Sequence, residues 1–257
     1  GSRVHVVLAP VALNGPILTI RKFPEPITME RLIELKSISR EAAAFLQKAV
    51  ERGLNIFISG GTGSGKTTIL NAMSGYIPQE ERVITIEDSA ELQIRHVTNL
   101  VSLETRVENR DGSQEISMRD LIRASLRMRP DRIIVGEVRG GEALEMLQAM
   151  NTGHDGSLST GHANSAKDML SRLETMVLMA AELPLAAVRY KRQLDLMVHV
   201  GRMRDRSRKV LEITEVIGYE NGEIRLSPIY QFQESGETAS GQVEGALVQV
   251  GRFEGRR

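Results

Sequence analysis

The chain has 257 residues, of which 41% are hydrophobic and 26% are charged, the balance of an ordinary globular protein. It carries 33 basic and 33 acidic residues, whereas free nucleic-acid binders usually show a basic excess. The lack of cysteine excludes disulfide bonds and cysteine-ligated zinc, and an aromatic content of 4% argues against base-stacking platforms. No apolar run approaches the ~20 residues that span a bilayer and no signal peptide is recognisable, so we expect no membrane span.

Two short apolar segments near the start, residues 4–8 and 17–21, are bounded by proline and glycine and predict two strands. The Phe-Pro-Glu-Pro run at 23–26 then breaks regular structure, as a linker does. A helix is predicted over residues 40–52, because Ser39 precedes it as a suitable N-cap and a glycine follows its end.

From residue 55 onward, short apolar segments alternate with segments of helical periodicity. This alternation predicts an α/β fold with helices on both faces of a mainly parallel sheet. We predict strands over 55–59, 83–86, 100–103, 133–135, 157–160 and 196–200, and helices over 67–74, 118–128, 142–151 and 166–180. Two of these helices begin with acidic capping boxes, Ser117 with Asp120 and Ser165 with Asp168.

The last part of the chain changes in character. Residues 210–219 and 223–230 flank an Asn-Gly pair at 221–222 and predict a β-hairpin. Residues 236–257 are rich in glycine, serine and glutamate, and we expect them to form a loose C-terminal tail.

Residues 60–67 fit the pattern G-x-x-x-x-G-K-[ST] of a phosphate-binding loop. Glycines let backbone amides close round phosphates, and a helix N-terminus after a strand favours anions. We expect Lys66 to reach the β- and γ-phosphates of ATP and Thr67 to ligate Mg²⁺ through its hydroxyl. A flexible glycine-rich turn is the alternative, and the strand and helix flanks argue against it. The predicted ATP-binding residues of this loop are Gly61, Thr62, Gly63, Ser64, Gly65, Lys66, Thr67 and Thr68.

Two glutamates follow apolar strand segments, and hydrolysis needs a carboxylate to hold magnesium or activate water. Glu137 ends the apolar run 132–136 in the pattern of a Walker B strand, and Glu87 ends the run 83–86. Both would lie at the sheet edge that carries ligands in open α/β folds. We predict Glu137 as the catalytic group, with a possible water-mediated metal contact, and Glu87 as its assistant. A plain surface glutamate is the alternative for each, and Asp88 is a candidate cap of the following turn.

Two histidines flank the predicted strand over 157–160. His162 follows its carboxyl end, where a sensor of the γ-phosphate would lie, and we favour that role over a structural one. His154 lies near the other end of the strand, and for it the phosphate-sensing role and a structural role are equally supported. A metal site is a rival idea, but two histidines without a third ligand at usable spacing are weak evidence.

Taken together, four segments resemble the secretion traffic ATPases, the motors of type II and type IV secretion and of type IV pilus systems. They are the phosphate loop at 60–68, an acidic box at 86–92, the acidic strand region at 121–139 and a histidine box at 152–164. The amino-acid sequence at 139–144 and 154–157 most resembles the tight-adherence (Flp) pilus branch, the CpaF-like proteins. The resemblance covers most of the chain, from Arg3 to Tyr230.

The resemblance implies a RecA-like P-loop ATPase domain over residues 37–235 that uses ATP and Mg²⁺. Residues 1–36 would be the tail of an N-terminal α+β domain with its linker. The resemblance also implies a homo-hexameric ring in which the N-terminal domain closes over the nucleotide. Such a ring would work at the cytoplasmic, inner face of the plasma membrane with an inner-membrane platform protein.

Several site residues are assigned by the resemblance. Arg3 and Arg21 stand where relatives have arginines that touch the nucleotide phosphates. The acidic-box and Walker B glutamates map onto Glu87 and Glu137, and the histidine box maps onto His154 and His162. We also expect Arg139 to contact the nucleotide. Residues 189–193 and the chain after residue 232 depart from the family pattern and receive no role.

The resulting hypothesis is ATP hydrolysis that powers pilus assembly or protein secretion across a bacterial membrane. A nucleic-acid translocase of a conjugation-type system on the same core is the alternative, and a nucleotide-gated scaffold without turnover is a third possibility. The two glutamates at strand ends argue against the scaffold. A local basic run supports the translocase, although we prefer to pair these arginines with glutamates and phosphates. The run consists of Arg123, Arg127, Arg129, Arg132 and Arg139.

Overall fold

The computed structural model describes residues 2–23, 25–107, 114–180, 194–220 and 223–255. Within these ranges, a two-stranded hairpin precedes a nine-stranded sheet with helices on both faces. The strands are β1 (Ser2–Val7), β2 (Ile17–Lys22), β3 (Ile56–Gly60), β4 (Arg82–Glu87), β5 (Asn99–Glu104), β6 (Arg132–Val138), β7 (Leu158–His162), β8 (Leu196–Arg202), β9 (Arg208–Glu220), β10 (Glu223–Glu237) and β11 (Val243–Gln249). The helices are α1 (Met29–Glu34), α2 (Arg40–Glu51), α3 (Lys66–Ser74), α4 (Met118–Ser125), α5 (Glu142–Asn151) and α6 (Ala166–Ala180).

The large sheet has the strand order β11-β10-β9-β8-β3-β7-β6-β4-β5. Strands β8, β3, β7, β6, β4 and β5 are parallel, and β9, β10 and β11 extend the sheet in antiparallel fashion. The carboxyl ends of the parallel strands therefore meet at one edge, which is the edge where ligands bind in folds of this class. The predicted mainly parallel α/β sheet is confirmed.

The core consists of two apolar layers, one on each face of the sheet. Successive residues of a strand point to opposite faces, so Ile56 and Ile58 of β3 join one layer while Phe57 joins the other. The first layer is completed by α1, α2 and α3, and the second by α4, α5 and α6. Both faces of the central strands are thereby removed from water, which explains their nearly continuous apolar sequences.

Helix starts follow the predicted caps. The Ser39 hydroxyl accepts a hydrogen bond from the Ala42 amide at 3.3 Å, and Ser117 forms a complete capping box with Asp120. The predicted helix over 118–128 ends earlier, at Ser125, and is followed by a turn. The short helix α1 was not predicted, because its six residues are too few to show a helical period.

The prediction of a loose tail from residue 236 is wrong for residues 243–249. These residues form β11, which pairs with β10, and its Val243 and Leu247 side chains are buried. Beyond it, the Phe253 ring stands edge-on to Phe45 of α2 at 5.9 Å between centroids. Glycine and glutamate between the apolar residues of β11 hide its period. The predicted hairpin strands β9 and β10 are confirmed, while the Asn-Gly pair at 221–222 and residues 189–193 lie outside the described residues.

The hairpin of β1 and β2 is a separate antiparallel pair, with Arg3 directly opposite Arg21. Most of its apolar side chains are exposed, unlike those of the large sheet. The division of the chain at residues 36 and 235 stays a prediction. Among the residues that the structure describes, no helix is both long enough and apolar enough to cross a membrane.

Replacing Leu247 by alanine tests whether β11 belongs to the folded core. The Leu247→Ala variant is expected to lose about 2–4 kcal/mol of unfolding free energy, because a buried side chain is truncated. The matched Val250→Ala variant removes an apolar side chain that is 44% exposed and should cost less than about 1 kcal/mol. Urea unfolding followed by circular dichroism measures both. Equal costs for the two variants would mean that β11 is not packed in solution.

Candidate active site

The phosphate-binding loop connects the end of β3 to the start of α3. Gly63 and Gly65 adopt positive φ angles of 69° and 98°, which side chains other than glycine rarely accept. At Gly60 the constraint is space, since a Cβ atom there would lie 2.5 Å from the Ser64 hydroxyl and closer still to the Val200 carbonyl. The motif glycines are therefore required by backbone conformation and by close approach, as the sequence pattern predicts.

Lys66 begins α3 and turns its side chain back over the loop. Its Nζ donates hydrogen bonds to the carbonyl oxygens of Gly60 at 3.1 Å and Gly61 at 3.3 Å. The same atom lies 3.7 Å from Oε1 of Glu137, which comes from β6. Burial lowers the pKa of Lys66, and the negative charge of Glu137 opposes that shift. The loop and the predicted catalytic acid are thus in direct electrostatic contact.

Arg139 links two acidic residues at the sheet edge. Its Nε donates to Oε2 of Glu137 at 2.9 Å, and Nη2 contacts the same oxygen. Its Nη1 lies 3.2 Å from Oδ2 of Asp88, which follows β4. The hydrogen bond to Glu137 raises the pKa of Arg139. Asp88 was predicted as a cap, and the structure gives it instead a charged partner in the site.

The contacts of the Glu87 side chain could not be predicted from the sequence. Its side chain is buried, and Oε1 accepts hydrogen bonds from the backbone amides of Glu91 and Leu92, both at 2.9 Å. Burial raises its pKa. The carboxylate therefore shapes the loop after β4, and one of its oxygens is occupied by the backbone. It still borders the cavity described next.

A cavity of about 910 Å³ opens at this edge, within the size range of small-molecule sites. It is bordered by the loop from Thr62 to Thr68, by Glu137 and by Arg139. The β1–β2 hairpin contributes Arg3 and Arg21, and Nη1 of Arg21 lies 3.3 Å from Glu91 Oε1. Apolar side chains of the linker and α1 border the same cavity: Ile27, Leu32 and Leu35.

The two histidines of the predicted box are separated. His162 ends β7 at the cavity, where its Nε2 lies 3.4 Å from the Thr62 hydroxyl. His154 precedes β7 and contacts Thr152 and the Ala149 carbonyl at the end of α5. His154 is not among the residues that border this cavity, because β7 holds the two rings at opposite ends, and its contact with ATP stays a prediction.

The donor set fits a triphosphate with magnesium. Lys66, the loop amides and the arginines supply positive charge and N–H donors, while the Thr67 hydroxyl and Glu137 supply oxygen. In the described part of the chain, no group of three or more His, Cys, Asp or Glu residues could hold a metal ion. Magnesium in phosphate-binding sites is usually held by few protein ligands together with phosphate oxygens.

Residues 2–212 match the sequence profile of the family described as "Type II/IV secretion system protein" (T2SSE). The chain belongs to this family. It is 36% identical over 243 residues to the conjugal transfer protein TrbB of Rhizobium radiobacter, covering 93% of this chain and 72% of that protein. It is 39% identical over 198 residues to the type IV secretion system protein PtlH of Bordetella pertussis, covering 68% of this chain and 58% of that protein.

A solved structure gives the same result. The VirB11 ATPase from the Brucella suis type IV secretion system, in complex with sulphate, superposes with a TM-score of 0.60 and 29% identity. The match covers 83% of this chain and 70% of VirB11. The RecA-like fold prediction is confirmed. The chain spans 58% of the length of PtlH. A Mycobacterium tuberculosis relative is 41% identical over 214 residues, which cover 82% of this chain and 60% of that relative.

Some site residues of this secretion-family protein were not predicted. Arg208 of β9 borders the cavity and donates from Nε to the Gly63 carbonyl at 2.9 Å. Thr160, Arg172 and Lys209 also border it. The alternating basic residues at 202–208 were the available signal, but nothing local shows that a strand pair far along the chain lies beside the phosphate loop.

The basic run proposed for nucleic acid is largely engaged with acids. Arg132 is buried and pairs with Glu81, with Nη2 lying 2.9 Å from Oε1. Arg123 lies 2.8 Å from the buried Glu145, and Arg139 has the partners described above. This pairing is the one that the sequence interpretation preferred.

The buried Glu87 carboxylate predicts a pH dependence of stability. Because its pKa in the folded chain lies above 4.5, the usual value, ionisation is less favourable in the folded than in the unfolded state. Its contribution to the free energy of unfolding is complete below pH 4.5 and is lost as pH rises through the folded-state pKa. Glu87→Gln keeps an acceptor for the two amides and should be more stable than the parent at neutral pH, with the difference vanishing towards pH 4.5.

Urea unfolding at a series of pH values measures this difference. The control is Glu80→Gln, whose side chain is exposed and should give a constant small difference. A Glu87→Gln penalty that grows with pH would show that ionised Glu87 is favoured in the fold, against this prediction.

Proposed function

We propose that this protein hydrolyses ATP with Mg²⁺ and works as a hexameric motor for protein secretion or pilus assembly. The observation that carries the proposal is the 3.7 Å distance between Lys66 of the phosphate loop, which follows β3, and Glu137 near the end of β6, two strands away in the sheet. Family membership supports it, because VirB11 is named as an ATPase of a type IV secretion system.

The phosphate loop and the arginines of the β1–β2 hairpin would bind the nucleotide. Backbone amides of residues 61–68 and the Lys66 ammonium would hold the phosphates, with Arg3 and Arg21 approaching from the hairpin. His162, whose Nε2 lies 3.4 Å from the Thr62 hydroxyl, would sense the γ-phosphate. Thr67 would hold Mg²⁺, with Glu137 contacting the ion through water, and the ion would neutralise charge on the phosphate oxygens.

Glu137 would promote hydrolysis, either as general base or as the group that positions water. In the structure its two oxygens are occupied by Lys66 and Arg139. A triphosphate competes for both cations, so its arrival would release the carboxylate to accept a proton from water. Lys66 and the arginines would then neutralise charge that develops on the γ-phosphoryl oxygens. Glu87 assists by holding the loop after β4 in place.

Motor action would come from movement of the β1–β2 hairpin and its domain over the cavity. We propose that the ring acts at the cytoplasmic face of the inner membrane on a platform protein. The tight-adherence pilus branch stays our preferred assignment within the family. Some relatives are named as conjugal transfer proteins, but acids engage much of the basic run, so we favour a protein machine over a nucleic-acid translocase.

Single substitutions separate binding from turnover. Lys66→Ala should weaken ATP binding, because the loop loses its only side-chain ammonium. Glu137→Gln should keep binding but lower kcat by about 10²–10⁴-fold, the usual contribution of a general base. ATP titration and phosphate release measure the two steps, with Arg31→Ala as a surface control. Turnover by Glu137→Gln at the rate of the parent protein would contradict the assignment.

Ring formation is tested by mass in solution. Light scattering with a non-hydrolysable ATP analogue and Mg²⁺ is expected to give about six times the 28.4 kDa chain mass. The same measurement on Lys66→Ala should stay smaller, because nucleotide binding is weakened. A single-chain mass for the parent protein in saturating analogue would argue against a nucleotide-stabilised ring.

A further inference from the structure

The turn between β8 and β9, residues 203–207, lies beside the phosphate loop. Arg208, the first residue of β9, donates from Nε to the Gly63 carbonyl at 2.9 Å. Its aliphatic part also covers Gly65, where a Cβ atom would lie 3.6 Å from Arg208 Cδ. Both glycines have positive φ angles, so Arg208 contacts loop residues in a backbone conformation that side chains other than glycine rarely accept.

The turn has a defined shape of its own. Oδ1 of Asp205 accepts hydrogen bonds from the Ser207 amide at 2.8 Å and from the Ser207 hydroxyl at 2.6 Å. The Met203 amide donates to the Ser207 carbonyl at 2.8 Å, which closes the turn. The hydrogen bonds from Ser207 and Val243 lower the pKa of Asp205 to about 2, so it is ionised at neutral pH.

The C-terminal strands hold this turn from the other side. Nη2 of Arg204 lies 2.7 Å from Oε1 of Glu234, and its Nε contacts Glu237, both near the end of β10. Oδ2 of Asp205 accepts a hydrogen bond from the Val243 amide, the first residue of β11, at 2.8 Å. One turn therefore connects the β10–β11 hairpin to the phosphate loop.

These contacts join a part of the chain that matches the family profile to a part that lies outside the match. The family profile ends at residue 212, so the turn and Arg208 lie inside the matched region. Strands β10 and β11 begin at residues 223 and 243 and lie beyond the match. A segment outside the family match thus contacts the turn that leads into Arg208.

We propose that Arg208 is a positioning residue for the phosphate loop, and that the β10–β11 hairpin sets nucleotide affinity by holding it through Arg204 and Asp205. The physical reason is preorganisation. A loop whose glycines are already ordered loses less conformational entropy when it closes round phosphates. The inference rests on the proposed nucleotide site, because it assigns a device that tunes that site.

The test uses binding of fluorescent ADP, which requires no turnover, by the full chain. Arg208→Ala should weaken ADP binding on the order of tenfold, the effect of losing one charge-assisted hydrogen bond. Asp205→Ala and the double variant Glu234→Gln/Glu237→Gln should each weaken it by about threefold, since Asp205 acts on Arg208 only indirectly and the ion pairs of Arg204 are solvent-accessible. Arg208→Ala combined with Asp205→Ala should bind no more weakly than Arg208→Ala alone, because both act through one contact.

Matched controls and a second measurement keep the outcome specific. Glu244→Gln alters an exposed acid of β11 and Arg31→Ala an exposed arginine of α1, and both should bind ADP like the parent. Hydrogen exchange of the amides at 61–65 without nucleotide should be faster in Arg208→Ala and in Asp205→Asn, a milder change if Asp205→Ala does not fold. In turnover, KM for ATP should rise while kcat changes by less than about twofold, since no reacting atom is touched.

Two kinds of failure are distinguishable. If the parent binds ADP and Lys66→Ala does not, but the hairpin variants bind like the parent or add to Arg208→Ala independently, the hairpin coupling is wrong. If the parent chain binds no ADP, the proposed function fails and this inference fails with it.

Discussion

The alignment of parallel strand ends is the constraint on which the site depends. Strand β7 stands between β3 and β6, yet the end of β3 delivers the phosphate loop and the end of β6 delivers Glu137 to the same edge. Lys66 of the loop and Glu137 are far apart in the sequence. Only the shared direction of the strands, fixed by helices that return the chain to the opposite edge, brings an ammonium and a carboxylate within reach. Hydrophobic burial on both faces holds the strands in this order.

Much of the fold could be predicted because the relevant signals are local. The strand-loop-helix around Lys66 is specified by glycines, a lysine and a threonine within a few residues, and their chemistry has few alternatives. Glu137 could be found because an apolar strand that ends in an acid has a recognisable pattern. Strand β11 could not, because its buried Val243 and Leu247 are separated by residues that suit an exposed tail.

The residues that were missed or misassigned depend on distant packing. Arg208 meets Gly63 across more than half of the chain, and no spacing in the sequence encodes that contact. At His154 the sequence left the structural and phosphate-contact interpretations open, and the structure places its ring away from the cavity. A strand between two residues carries them apart, since each strand residue adds about 3.3 Å of length. Glu87 was placed correctly at the edge, but its backbone partners could be seen only in the structure.

The β1–β2 hairpin has a consequence for how the cavity can open. Two strands alone are marginally stable, and within the described residues most of the apolar side chains of this pair are exposed, so its packing against the large sheet contributes little free energy. The ion pair between Arg21 and Glu91 is solvent-accessible and worth little. Detaching the hairpin from the sheet edge thus requires far less free energy than unfolding the core, and the arginines can leave or return while the strands that carry Lys66 and Glu137 keep their arrangement.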